Sequence, residues 1–208
     1  MSDPWDTPPL PTRGDGSQKT TYASMGHALT TWEHLEINLA CLFAVMTCGE
    51  AYDKAAIGKY GEGKAVFVIR HRALKHLGRK YFARYPDQKD EGDFEEVIAR
   101  AFNFSARRND IAHSILRSFY LLTHPGRSFL DAPKRESWCL FPAYFKDKRF
   151  KWADKPAYAY TSKELDALRA HFDSLSADIH RLWKRLESRH RALRYKPAPI
   201  KSVLSGDR

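Results

Sequence analysis

The string Arg107-Arg108-Asn109-Asp110-Ile111-Ala112-His113 gathers guanidinium groups, two short polar side chains and an imidazole within two turns of a predicted helix. At roughly 100° per residue, Arg108 falls in the middle of the apolar stripe made by Val97, Ala101, Phe104, Ile111 and Ile115. A guanidinium there is costly without a carboxylate or a phosphate beside it. The same wheel on the first predicted helix sets Glu36 beside Trp32, Leu39 and Phe43, which makes Glu36 the expected partner of Arg108. Such a pair either fixes helix register or holds the planar donor ready for a phosphate.

His113 lies about 140° round from Arg108, with Asn109 four and Asp110 three residues before it, so both short side chains are expected to reach its turn. Imidazole is the side chain that ordinarily changes charge near neutrality. An imidazole next to a fixed guanidinium is the minimum for metal-free RNA cleavage: one moves protons at the 2′-hydroxyl and the leaving oxygen, the other stabilises charge on the phosphorus. The spacing alone is weak, because Arg185 and His190 repeat it in the last helix without an Asn after the Arg. Those two sit where basic residues complement a helix C-terminus, and they are taken as coincidence.

The elements that must position these residues are mostly helical. Leu29, Trp32, Leu35, Leu39, Leu42, Phe43 and Met46 recur at three- and four-residue steps, predicting a long helix from about Gln18 to Cys48 that Gly49 ends. A shorter segment follows around Ala51 to Tyr60, then a helix from Ala65 to Tyr85 that Pro86 terminates. Asp93, with Glu96 three residues on, is the expected start of the helix that carries the Arg108 string. Thr161 and Glu164 form a capping box ahead of Leu165, Leu168, Phe172, Leu175, Ile179, Leu182 and Leu186, which predicts a last helix to about His190.

Between residues 118 and 160 the period changes, and Pro125, Gly126, Pro133, Pro142 and Pro156 separate short aromatic pieces, expected as a small β-hairpin excursion. Its rings, among them Trp138, Tyr144, Phe145, Trp152 and Tyr160, are expected to form a lid on the bundle rather than a base-stacking platform. Residues 1–18 are rich in Pro and Gly and read as a mobile tail, and 191–208 read as a frayed basic tail. The fold expected is all-α: an up-and-down bundle of four to five helices over 19–190, with the β-rich insertion before the last helix.

Charge is the unusual bulk property. The chain has 208 residues with 35 Lys and Arg against 25 Asp and Glu, a formal net charge of +10, so polyanions are the first partners to consider. Arg72, Lys75, Arg79, Lys80 and Arg84 make the third helix basic and are the candidate RNA contacts, unless they form only a solvated face. Three cysteines without a CxxC pair fit a reduced compartment, with Cys41 and Cys48 expected in the core. Phosphate-binding loops, serine-nucleophile elbows and zinc-ligand motifs are absent, so no metal and no cofactor are expected. With no signal-like start and no apolar run near the ~20 residues that span a bilayer, a cytoplasmic chain that does not enter membranes is expected.

The sequence RNDIAH at 108–113, in a helical chain whose first helix reads TWEHLEINL, resembles the HEPN superfamily of helical nucleotide-binding domains and fits that family's R-[N/D/H]-x3-H pattern. The resemblance covers about residues 19–120 and 161–190. It implies a metal-independent endoribonuclease acting as a homodimer in which two motifs face each other across an RNA-binding cleft. Many such domains are toxins or effectors of anti-phage and stress responses, some held in check by an antitoxin or other regulatory partner. Carried over by position, Arg108 and His113 are catalytic and Asn109 orients His113 or the phosphate, while Glu36 and Asp110 are supporting residues argued from the wheel. The alternative is a non-catalytic module that binds nucleic acid or a protein through its basic surface.

Overall fold

The computed structural model describes residues 3–62, 66–120, 124, 136–142 and 157–194. Among these residues, five helices and one two-stranded sheet follow in the order α1 (Gln18–Cys48), α2 (Lys54–Gly61), α3 (Phe67–Arg84), α4 (Gln88–Ala112), β1 (Ser114–Ser118), β2 (Trp138–Pro142) and α5 (Ser162–Arg194). The expected class holds: a helical bundle with a small antiparallel sheet before the last helix.

Local chemistry sets the helix ends. The side chain of Ser17 accepts the Lys19 amide at the start of α1, supplying a partner for one of the donors that a helix start leaves over. Gly49 closes that helix in the left-handed region at φ 85°, a conformation glycine adopts without penalty. Its amide donates to Val45 O at 2.8 Å. The Thr161–Glu164 capping box forms as expected, with the Thr161 amide donating to Glu164 Oε2 at 2.9 Å. Asp93 does not open α4. Asp87 does, its side chain accepting the Asp90 amide at 2.9 Å, which lengthens α4 at its N-terminus and leaves Asp93 inside the helix, held by Lys89 and Arg185.

Packing contacts give the directions. Trp32 meets Phe67 and Phe172, Glu36 meets Arg70, and Asn38 meets Ser176 and Trp183, so α1, α3 and α5 run the same way. Helix α4 runs against them, since its N-terminal Asp87 pairs with Arg189 while Phe104, near its other end, packs on Phe172. Short α2 is the return between α1 and α3. The core is continuous around Trp32, Leu35, Leu39, Phe94, Phe104, Phe172 and Trp183. Trp32 is fully buried. Truncating such a side chain to Ala would cost about 3–5 kcal/mol.

The N-terminal segment, expected to be mobile, lies against the bundle from Asp3 onward. Trp5 packs edge-on to Phe104 at 5.7 Å, Leu10 joins Cys139, Phe141 and Ala159, and the Asp15 backbone bridges to Trp138. The Asp15 carboxylate accepts from Thr21 Oγ1 and from the amide and hydroxyl of Ser162, tying the starts of α1 and α5 together. Ring burial and these bonds offset the ordering entropy that composition alone counted as unmet.

Strand β1 begins at Ser114, four residues before the expected excursion, and pairs in register Ile115 with Phe141 and Arg117 with Cys139. Tyr160 bridges Leu140 on the other side, and Phe141 and Tyr160 are buried, as a lid requires. Tyr144, Phe145 and Trp152 lie outside the described residues. Helix α5 continues to Arg194, so the first residues assigned to the basic tail are helical, and the rest of that tail is outside the described residues. Cys41 is buried as expected, whereas Cys48 is exposed at the end of α1. No described helix is long and apolar enough to cross a membrane.

Candidate active site at the end of helix α4

Arg108 and Asn109 sit on the last turns of α4 and His113 caps the helix, its amide donating to Asn109 O at 3.1 Å before the chain turns into β1. Asn109 and His113 are exposed, and Arg108 is about one-third exposed rather than sunk in the apolar stripe. The structure thus presents all three motif residues to solvent on one helix end.

The partner expected for Arg108 is corrected. Glu36 is taken by Arg70 of α3 at 2.6 Å and by the Trp32 indole, which donates to Glu36 Oε1 at 2.9 Å. Arg108 Nη2 reaches Glu33 instead, one turn earlier on α1, at 3.3 Å. The wheel placed Glu36 on the core side, yet it faces the α1–α3 seam, while Glu33 faces the end of α4. Neighbouring carboxylates of α1 therefore hold one arginine each from two different helices. Glu33 is well exposed, so its hold on Arg108 is weak and open to exchange for a phosphate. Arg108 Nε is buried and has no hydrogen-bond partner among the described residues, which leaves donor capacity unspent.

Asp110 is turned away from His113. It is 2% exposed, pairs with Arg107 at 3.1 Å and accepts the Tyr160 hydroxyl at 3.1 Å. Burial and the Asp110 charge beside it push the Tyr160 phenol well up, so it stays a donor. Arg107 in turn lies 5.8 Å from the centre of the Tyr158 ring. Asn109 makes no side-chain hydrogen bond to the imidazole either; its Oδ1 accepts from Arg108 Nη1 at 3.4 Å. The short polar residues of the string thus fix the backbone and Arg108, while the His113 ring has no hydrogen-bond partner among the described residues.

Sequence reasoning missed Tyr160 and Arg107 as the lock on this turn. Tyr160 was legible only as a lid aromatic, because nothing in the sequence shows that a residue so far along the chain returns to α4. It also missed Glu33, whose contact with Arg108 depends on how the end of α4 packs against α1.

The basic residues of α3 are only partly brought to the site. Arg72, Arg79, Lys80 and Arg84 are exposed, and Lys75 is half-buried with Glu95 at 3.8 Å. Only the Arg72 end lies towards the end of α4, since neighbouring His71 packs on Phe102. Lys80 and Arg84 lie at the opposite pole, where with Leu77, Tyr81, Tyr85 and His190 they line a groove of about 570 Å³. The second Arg–His spacing is structural: Arg185 binds Asp90 and Asp93, and His190 packs against Tyr81 and Tyr85. Among the described residues, no group of three or more His, Cys, Asp and Glu is arranged to hold a metal ion.

Compared with known proteins, the chain matches no family model, no curated protein and no solved structure.

Proposed function

We propose that the chain is a metal-independent endoribonuclease of HEPN type. The observation that carries the reading is the joint exposure of Arg108, Asn109 and His113 on an α4 terminus that the Arg107–Asp110–Tyr160 contacts hold in place. In this reading His113 takes the proton of the 2′-hydroxyl as that oxygen attacks phosphorus, or gives one to the 5′-oxygen as its bond to phosphorus breaks. Arg108 leaves Glu33 for the phosphate and stabilises its added negative charge. The products are a 2′,3′-cyclic phosphate and a free 5′-hydroxyl.

Arg108 and His113 diverge by about 140° around α4 and are separated by about 7.5 Å along it. One copy therefore aims them apart, which supports a homodimer whose two motifs complete one cleft. A cytoplasmic toxin or defence and stress-response effector, restrained by an antitoxin or other regulatory partner, belongs to the same reading.

The test is cleavage of a mixed RNA pool in excess chelator by the wild type, His113→Ala and Arg108→Ala, with analysis of product ends. Cleavage by the wild type alone, with cyclic-phosphate ends, is the expected result. Equal cleavage by His113→Ala would sink the assignment. The Glu33–Arg108 ion pair favours a second reading, a non-catalytic RNA-binding module; RNA binding by all three proteins without cleavage would select it.

A further inference from the structure

Phe102 is a large apolar side chain on α4 that stays 42% exposed and does not join the hydrophobic core. One face is backed by the His71 imidazole of α3, with ring centres 4.6 Å apart and planes inclined by 33°. Phe102 precedes Asn109 by seven residues and His113 by eleven, spacings that return to within about 20° on a helix. Ala106, between them on the same line, is exposed and short. The solvent-facing stripe of α4 therefore reads as an aromatic ring, a gap without bulk, and then the two polar motif residues. Asn109 is about 10 Å from Phe102 along the axis, roughly three nucleotides at the ~3.4 Å rise of a stacked strand.

The surroundings suit a nucleobase. The cation Arg72 follows His71 directly and is exposed, supplying attraction for a backbone phosphate. Burial first, then the nearby Lys75 and Arg72 charges, hold the His71 imidazole below its usual range against the opposing Glu95 and the Ile98 backbone. The ring behind Phe102 is thus held towards its uncharged form. A duplex keeps its bases stacked inside and offers such a ring nothing, whereas an unpaired strand offers a base face.

We infer that Phe102, backed by His71, is a nucleobase-stacking subsite that holds an unpaired RNA strand along α4, a few nucleotides from the phosphate at His113. The inference rests on the ribonuclease reading for what happens at that phosphate, and on Phe102 itself for binding.

The test measures binding rather than cleavage, in chains that carry His113→Ala so that no strand is cut. Fluorescence anisotropy compares an unstructured RNA 12-mer, the same backbone with abasic residues, and a 12-base-pair RNA duplex. Phe102→Ala is expected to weaken the unstructured 12-mer by about tenfold and Phe102→Trp to preserve it, with the abasic strand and the duplex unaffected by either change. Equal binding of the 12-mer by Phe102→Ala and its parent would overturn the subsite. So would a loss of binding that tracks dissociation of a dimer in sedimentation, since Phe102 would then be a contact between copies. Absence of metal-free cleavage by the unmodified chain sinks the ribonuclease reading alone and leaves the stacking result standing.

Discussion

The Tyr160 hydroxyl donates to the Asp110 carboxylate across 3.1 Å in a setting buried from solvent, joining residues 50 apart in the chain. Asp110 belongs to the last turn of α4 and Tyr160 to the segment that bridges β2 and leads into α5. The bond thus clamps the turn that displays Arg108, Asn109 and His113.

Removing the clamp should cost both stability and alignment. Tyr160→Phe leaves the ring in place and deprives a buried carboxylate of a donor, a loss of about 1.5–3 kcal/mol in urea denaturation. If the ribonuclease reading holds, single-turnover cleavage should slow while the substrate concentration for half-maximal rate stays within about twofold. A variant as stable and as fast as the wild type would show that the turn is fixed by Arg107 alone.

The two carboxylates of α1 should respond unequally to loss of charge. Arg70 and Glu36 are both mostly buried, whereas the Arg108–Glu33 pair is half-exposed. Glu36→Gln strips Arg70 of its counter-charge and should destabilise by about 1.5–3 kcal/mol. Glu33→Gln should change stability by about 0.5 kcal/mol or less, the range of an exposed ion pair. Because Arg108 is then released, the Glu33 variant should also bind RNA at least as tightly as the wild type. Chemical denaturation of both, with an RNA titration of the second, checks this.

Helices α3 and α4 approach closely at Gly78. A Cβ there would lie 2.3 Å from Phe94 Cε1, and Phe94 is fully buried. Gly78→Ala should therefore cost about 1–3 kcal/mol despite Ala's better helix propensity. At Gly92, in the same helix pair, an added Cβ meets nothing within 4 Å. Gly92→Ala should gain up to about 1 kcal/mol. Opposite shifts in thermal midpoint are the expected outcome.

Acid should weaken the fold in two windows. His71 is held below its usual range, chiefly by burial, so the unfolded chain takes up its proton first and stability falls as pH drops below about 6.5. Asp87, through the Asp90 amide, and Asp93, through Lys89, are held below the usual carboxylate range. Their contribution is present above the unfolded pKa near 3.8 and is lost as pH falls through the lower folded values. His71→Gln should erase the upper window and leave the lower one in a pH series of denaturant midpoints.

Much of the architecture was written in local patterns. The three- and four-residue steps from Leu29 to Met46, the glycine at 49, the capping box at Thr161 and the proline after Tyr85 each act within a turn or two of chain. Helix number, order and most boundaries followed from them, while the net charge and the Arg108–His113 spacing are read directly from the residues. The start of α4 lies a turn and a half before Asp93, because Asp87 also caps through the Asp90 amide and the helix runs on through Asp93, which pairs with Lys89 and Arg185.

Only tertiary structure decided who meets whom. A helical wheel ranks faces by hydropathy and does not say which neighbour each face receives, so it assigned Glu36 to Arg108 where packing gives Glu36 to Arg70 and Glu33 to Arg108. It could not show that Phe102 stays in solvent, that Tyr160 returns to Asp110, or that the basic face of α3 leads mostly away from the motif. Those outcomes depend on side chains brought together over long loops, and chain connectivity carries no local signal for them. The sequence by itself determined the helices and the chemical groups they carry; the packing of α1 against α3, α4 and α5 decided which of those groups share a site.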